Sequence, residues 1–369
     1  MDVDLFRAAL GRLPGLHGTS VLNAVRQVGS LATLATLPPR DLVGLGWPPG
    51  VPQALRALDT TRLAQDLAFS ERSGARLIAA AESEYPAALL QLSDAPPLLY
   101  VRGDPQILTL PQLAIVGSRN ATGAGRAIAR EFGEYFTRFG LAITSGLAAG
   151  IDGAAHDGAL AGGGRTIAVC GTGLDVIFPA AHRDLAERIA AHGALVSEFP
   201  PGTPPRRANF PQRNRVIAAL SLGTLVVEAG VRSGALTTAR HAADLGREVF
   251  AIPGSIHNPL ARGCHRLIRS GAKLVECGED VLAELKISLQ HQLLEAVQAE
   301  ARPGAAQREA LDKDYEILLH ALGFAPASAD QLVARTGLSS AAVASMLLML
   351  ELRGDIELQP GGRYARVAR

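Results

Sequence analysis

Between residues 113 and 277 the chain repeats one pattern: a short apolar run rich in β-formers, a turn containing glycine, then a helical stretch. The runs are LAIVGS (113–118), LAITSGLA (141–148), RTIAVCG (165–171), GALVSEF (193–199), GTLVVEAG (223–230), REVFAIPG (247–254) and AKLVEC (272–277). Segments such as GAGRAIAREFGEYFTRFG, GIDGAAHDGALAGG and SGALTTARHAADLG lie between them. Strands buried on both faces read as continuous apolar runs, and alternation with helices implies a parallel sheet covered on both sides. Ligands of such α/β folds bind at the carboxyl ends of the strands. The functional surface is expected among these turns.

The flanks read differently. Residues 1–84 form short helical patterns broken at Pro38-Pro39 and Pro48-Pro49, with Leu22, Val25, Val28 and Leu31 at a spacing of three. Residues 85–287 are the α/β domain, and 288–311, polar and interrupted by Pro303-Gly304, read as a linker. In 312–369 three helices (Tyr315–Leu322, Ser328–Thr336, Ser339–Leu352) precede a hairpin, DIELQ turning at Pro360-Gly361-Gly362 into RYARV, which is the winged-helix pattern. The 369 residues are 48% hydrophobic, enough for several cores. No apolar run approaches the roughly 18 residues of a membrane span, and the acidic start MDVDLFRAAL is unlike a signal peptide. A soluble, cytoplasmic protein without membrane contact is expected.

Several chemistries are excluded by spacing. Gly123-Ala124-Gly125 is followed at the third glycine position by Ile128, Gly117 lies too far upstream, and the next strand ends without an acid, so no dinucleotide fingerprint forms. GK[ST] and GxSxG are absent, which removes P-loop hydrolysis and the nucleophile elbow. Cys170, Cys264 and Cys277 lack CxxC spacing, and His257, Cys264 and His265 lack zinc spacing. Neither cofactor nor metal is expected.

What remains suits an anion. Gly117-Ser118-Arg119 sets a hydroxyl, an amide and a guanidinium past a strand end and before a helix N-terminus, where free N–H groups favour negative charge. Ser145–Asp152 and Ser233-Gly234 follow strands in the same way, although ordinary caps and turns use these residues too. Pro201–Arg215, PGTPPRRANFPQRNR, reads as a long loop with four arginines, no acid and Phe210 at its middle. Single-stranded nucleic acid asks for that combination, guanidinia for phosphates and a ring for an unpaired base. A buried Phe210 with arginines paired to acids is the other reading. Residues 100–287 carry 20 basic against 16 acidic side chains, the only segment with a positive balance, so single-strand affinity is expected to reside there.

Weaker signals surround these. Asp152 and His156 stand four apart on one helix, suited to capping and a local hydrogen bond, to acid–base work or to a metal pair; Glu228, at a strand end, suits structural pairing to an arginine or a catalytic carboxylate. LPGLHG (13–18) resembles a helix-hairpin-helix turn with His17 at the second glycine position. The third winged-helix helix, SSAAVASMLLMLEL, has no basic residue before Arg353, so DNA contacts there fall to Arg363, Arg366 and Arg369.

IVGSRNATGAGR, SGLAAGIDGAAHDGAL, TIAVCGTGLD, VSEFPPGTPP, FPQRNRVIAALS, VVEAGVRSGALTTARHAADLGREVFAIPG and RGCHRLIRSGAKLV, in this order, resemble the DNA-processing protein A family (DprA, or Smf) from about Tyr85 to Leu285. The resemblance implies an extended Rossmann-like central domain, a helical SAM- or helix-hairpin-helix-like N-terminal domain and a C-terminal winged helix. It implies single-stranded DNA binding, protection of incoming DNA in natural transformation, loading of RecA in exchange with single-strand-binding protein, and a homodimer. For the C-terminal domain two readings stand side by side: double-stranded DNA through the wing arginines, and a protein-binding or regulatory role. The implied DNA site comprises Gly117, Ser118, Arg119, Gly146, Arg207, Asn209, Phe210, Arg213, Asn214 and Ser233, with no catalytic residue. The alternative is a nucleotide N-glycoside hydrolase like the LOG phosphoribohydrolases, with Asp152 and Glu228 as carboxylates, although AGVRSGALTTARHA lacks the glutamate that ends the LOG motif.

Overall fold

The computed structural model describes residues 1–286, 313–323, 326–352, 355–359 and 362–367. The linker expected at 288–311 and Pro360, Gly361 and Arg369 of the hairpin lie outside the described residues.

Five helices open the chain: α1 (Val3–Leu10), α2 (Gly18–Val28), α3 (Leu31–Thr36), α4 (Val51–Ala57) and α5 (Thr60–Ser73). Asp2 caps α1 by accepting from the amides of Asp4 and Leu5. Phe6 stacks on Trp47 with ring centroids 6.1 Å apart, and Leu10, Leu34 and Leu42 close the core around them.

Nine strands form the main sheet: β1 (Ala75–Ala79), β2 (Leu98–Gly103), β3 (Gln112–Val116), β4 (Ala142–Ser145), β5 (Thr166–Val169), β6 (Ala194–Ser197), β7 (Gly223–Val226), β8 (Glu248–Ala251) and β9 (Lys273–Leu274). Their order is β1-β2-β6-β5-β4-β3-β7-β8-β9. The seven strands expected from the repeated pattern pair in parallel. β1 and β2, unanticipated, extend the sheet antiparallel beyond β6. β1 lies upstream of residue 84, so the sheet draws its edge from the segment read as helical. The five residues ARLIA are too few to carry a periodicity that separates strand from helix, and pairing with Leu98–Gly103 decides it.

The intervening helices are α6 (Gly123–Arg138), α7 (Ile151–Ala161), α8 (Arg183–His192), α9 (Asn209–Leu220), α10 (Ala235–Asp244), α11 (Arg262–Arg269) and α12 (278–286). The strand order reverses between β3 and β7, which places a topological switch point at the turns after Val116 and Val226.

The C-terminal unit has α13 (Lys313–Leu322), α14 (Ala329–Thr336) and α15 (Ser340–Leu352) with a three-stranded sheet of β10 (Ala327–Ser328), β11 (Ile356–Gln359) and β12 (Arg363–Arg366). Ser328 and Gln331 form a reciprocal capping box on α14. α15 lies against the central domain. The Ser345 hydroxyl donates to the carbonyl of Gly140 at 3.0 Å, and Leu348 enters the core that holds Phe136 and Leu141. Gly140 precedes β4, so this contact is at the amino ends of the strands. Among the described residues no helix is long and apolar enough to cross a membrane.

Candidate functional site

A cleft of about 1080 Å³ opens at the switch point. The turn after β3 supplies one wall, the loop after β5 and the start of α9 another, and the turns before α10 and α11 the third. Eight of the ten expected site residues line it; Gly146 and Asn209 stand behind it. Asn209 donates from its side-chain amide to the carbonyl of Gly171 at 3.1 Å, fixing the start of α9.

The expected long loop 201–215 is shorter than its prolines suggest. Irregular chain ends at Ala208, and α9 begins at Asn209. Pro211 sits in the first turn, where its missing N–H would have had no helical partner. This separates the four arginines. Arg206 and Arg207 remain exposed. Arg213, 4% exposed, donates from Nη1 to the carbonyls of Gly146 (2.7 Å) and Val169 and from Nε to Asn214 Oδ1 (3.2 Å). Arg215, 6% exposed, pairs with Glu198 at 2.6 Å and Asp94 at 3.0 Å. Burial and acid pairing therefore hold for Arg215, and Arg213 is a buried brace whose side chain reaches the cleft floor.

Gly146 shows why a glycine is needed at that brace. A Cβ there would lie 2.6 Å from Arg213 Nη2 and 2.7 Å from Asp152 Oδ2. Asp152 accepts from the amides of Gly146 (3.1 Å) and Ala148 (3.4 Å). Its burial pushes the carboxyl above the ordinary aspartate range, while Arg213 and those amides pull it back.

The anion site expected at the N-terminus of α6 is already occupied by the protein itself. Glu228 accepts from the amide of Thr122 (2.9 Å) and from its hydroxyl (2.7 Å), and a Cβ on Gly125 would lie 2.5 Å from its carboxyl carbon. The amide of Ser118 donates to the Glu228 carbonyl at 2.6 Å, so it too is engaged. Glu228 pairs with a threonine rather than an arginine, and it does not line the cleft. Asp152 and Glu228 thus form no carboxylate pair open to a substrate. His156 is buried, with Nδ1 2.7 Å from Thr166 Oγ1. The LPGLHG turn is also closed, since the amide of Gly18 donates to the Ala95 carbonyl at 2.7 Å.

The exposed chemistry of the cleft is guanidinium and ring. Arg119 lies 5.0 Å from the centroid of the half-buried Phe210 ring, and Phe178 meets the same ring at 5.6 Å, tilted by 46°. Such contacts leave part of each ring open. Phe178 is 43% exposed and is the more open of the two rings. The sequence reading missed it, and missed Arg232 and Arg262, which also line the cleft and are exposed. The available signal was position: each lies past the carboxyl end of a strand, where the loops of this architecture converge. Among the described residues, Arg119, Arg207, Arg232 and Arg262 stand against one lining carboxylate, the buried Asp152.

With this geometry in view, the comparisons with known proteins are specific. Residues 76–286 match the family model described as DNA recombination-mediator protein A, and residues 299–362 match the DprA winged helix domain. The chain is 44% identical over 320 residues to Protein Smf of Escherichia coli K12, covering 86% of this chain and 84% of that protein. It is 48% identical over 202 residues to the DNA processing protein DprA of Streptococcus pneumoniae R6, covering 55% of this chain and 71% of that one. The X-ray structure of DprA from Streptococcus pneumoniae superposes with a TM-score of 0.67 at 37% identity, over 77% of this chain and 99% of that one. A structure of DNA processing protein A from Helicobacter pylori, described for its single-stranded DNA binding mode, gives 0.52 at 27% identity over 60% and 96%.

Proposed function

Because the chain belongs to the DNA recombination-mediator protein A family, we propose that it is a non-enzymatic mediator that binds single-stranded DNA in the cleft at the switch point. One observation carries the proposal: four exposed arginines, Arg119, Arg207, Arg232 and Arg262, ring a cleft that also presents Phe210 and Phe178. Guanidinia hold phosphates without reading sequence, and the π-face of a ring accepts any unpaired base. Duplex DNA keeps its bases stacked and offers the rings nothing. In this reading Gly117, Ser118, Arg119, Arg207, Phe210, Asn214 and Ser233 face the strand, and Gly146, Asn209 and Arg213 hold the walls in place.

The family membership supports the wider role: a cytoplasmic homodimer that protects incoming strands in natural transformation and loads RecA where single-strand-binding protein would otherwise stay. Double-stranded DNA would meet Arg363 and Arg366 of β12, both exposed, rather than α15, which is docked on the central domain. The deciding experiment is a gel-shift series with single- and double-stranded oligonucleotides at two salt concentrations. Tighter, salt-dependent binding of single strands is expected. Equal or tighter binding of duplex by an Arg363→Gln/Arg366→Gln variant, which lacks these wing arginines, overturns the assignment of the cleft.

A further inference from the structure

We infer that a second basic groove, between α10 and α11, carries the sugar-phosphate backbone of the same strand as it leaves the cleft. The inference rests on the reading of the cleft as a single-strand site. The groove has a volume of about 530 Å³ and adjoins the cleft, because Val231, Arg232 and Ser233 line both. A polymer leaving the cleft on the α10 side must therefore pass Arg232 and enter it.

Its chemistry differs from that of the cleft in an informative way. Among the described residues Arg232, Arg240, Arg247 and Arg266 line it against one acid, Glu248. Arg240 and Arg266 are exposed, and neither forms an ion pair among the described residues. Arg247 is held to the wall by donating to Gln91 Oε1 at 3.0 Å, and its Nε is buried without a partner. The floor is aliphatic, from Leu236, Val249 and Leu267, and among the described residues no aromatic ring lines it. Unpaired guanidinia without a stacking platform suit phosphodiesters rather than bases. The groove adds affinity that is salt-dependent and indifferent to sequence.

A length series tests this. The full chain and an Arg240→Gln/Arg266→Gln variant are titrated with oligo-dT of about six and about twenty nucleotides, spanning the roughly 4–16-nucleotide site sizes of single-strand modules. The expected result is unchanged binding of the short oligonucleotide and weaker binding of the long one. The salt slope for the long one falls by about 1.4, two contacts at about 0.7 each. Unchanged binding of both lengths overturns the inference and leaves the cleft assignment intact. Equal loss on both lengths also overturns it, since the groove is then not a continuation of the path. A variant that changes the native mass in light scattering overturns it in favour of an interface between copies. If the wild-type chain binds neither length, the failure is that of the cleft itself.

Discussion

The guanidinium of Arg12, just past α1, donates to the carbonyl of Pro201 at 3.2 Å, across 189 residues of chain. Arg12 is itself held by the buried Asp66 at 2.5 and 2.7 Å. Arg62 of α5 reaches the same carbonyl at 3.4 Å, and the next amide, Gly202, donates to both oxygens of Asp175 at 2.9 and 2.8 Å. Pro201 roots the loop that carries Arg207, and Asp175 precedes Phe178. The N-terminal helices thus tie both loops of the cleft together, although charge alone located single-strand affinity in the middle segment.

Arg12→Ala should therefore act at a distance. Removing one partner of a buried ion pair costs about 3–5 kcal/mol, so the melting temperature falls. At a temperature where the variant is folded, single-strand affinity should also fall. Gly202→Ala is the companion: its φ of +81° disfavours a side chain, and the added Cβ would press on Arg62 Nη2. Wild-type affinity in both folded variants would show that the loop needs no root.

Phe210→Ala should cost about 1–3 kcal/mol in single-strand binding with the salt slope unchanged, because stacking releases no counterion. Phe210→Trp keeps a π-face and should retain most affinity. Phe178→Ala should show the same signature. Thermal melts must accompany both, since Phe210 is half-buried against Arg119 and Phe178. An early melt with normal binding at a permissive temperature makes the Phe210 ring core.

The arginines divide into two groups. Arg119→Gln and Arg207→Gln should each lower the salt slope by about 0.7 and weaken all sequences alike. Arg215→Gln should leave the slope alone and lower stability, because it strands Glu198, whose carboxyl burial pushes above the ordinary range and Arg215 pulls back. A reduced slope in Arg215→Gln would contradict the buried-pair assignment.

His156 sets an acid limit on stability. Burial lowers its pKa from 6.5 to about 3, with the charges of His182 and Arg213 acting in the same direction. The Thr166 hydroxyl donates to the Ile143 carbonyl at 2.7 Å, so the neutral ring donates from Nδ1 to Thr166 Oγ1. The unfolded chain takes up this proton near pH 6.5 and the folded chain does not. Its contribution is complete above pH 6.5 and is lost as pH falls toward 3, at roughly 1.4 kcal/mol per unit. Denaturant melts from pH 7 to 4 should be steeper in pH for the wild type than for His156→Gln. Identical slopes would mean the ring is charged in the fold.

Glu228 separates capping from catalysis. Glu228→Ala frees the Thr122 hydroxyl and amide and should cost about 1.5–3 kcal/mol for each hydrogen bond to the charged group. Incubation of the wild type with nucleoside monophosphates should release no free base. Release of base that disappears in Glu228→Gln would revive the hydrolase reading.

The seven parallel strands, the turns that bear the site and the winged-helix order were legible in the sequence because each depends on local pattern: apolar runs of strand length, glycine at turns, caps before helices. The tertiary structure decided what depends on partners distant in sequence. β1 becomes a strand by pairing with β2, and the N-terminal helices reach the cleft loops through Arg12 and Arg62. Arg213 and Arg215 are alike in type and two residues apart. On α9 two residues turn the side chain by about 200°, so one enters the cleft wall beside Gly146 and the other meets Asp94 and Glu198. Local composition is the same for both; the burial that separates them is set by which elements the helix packs between.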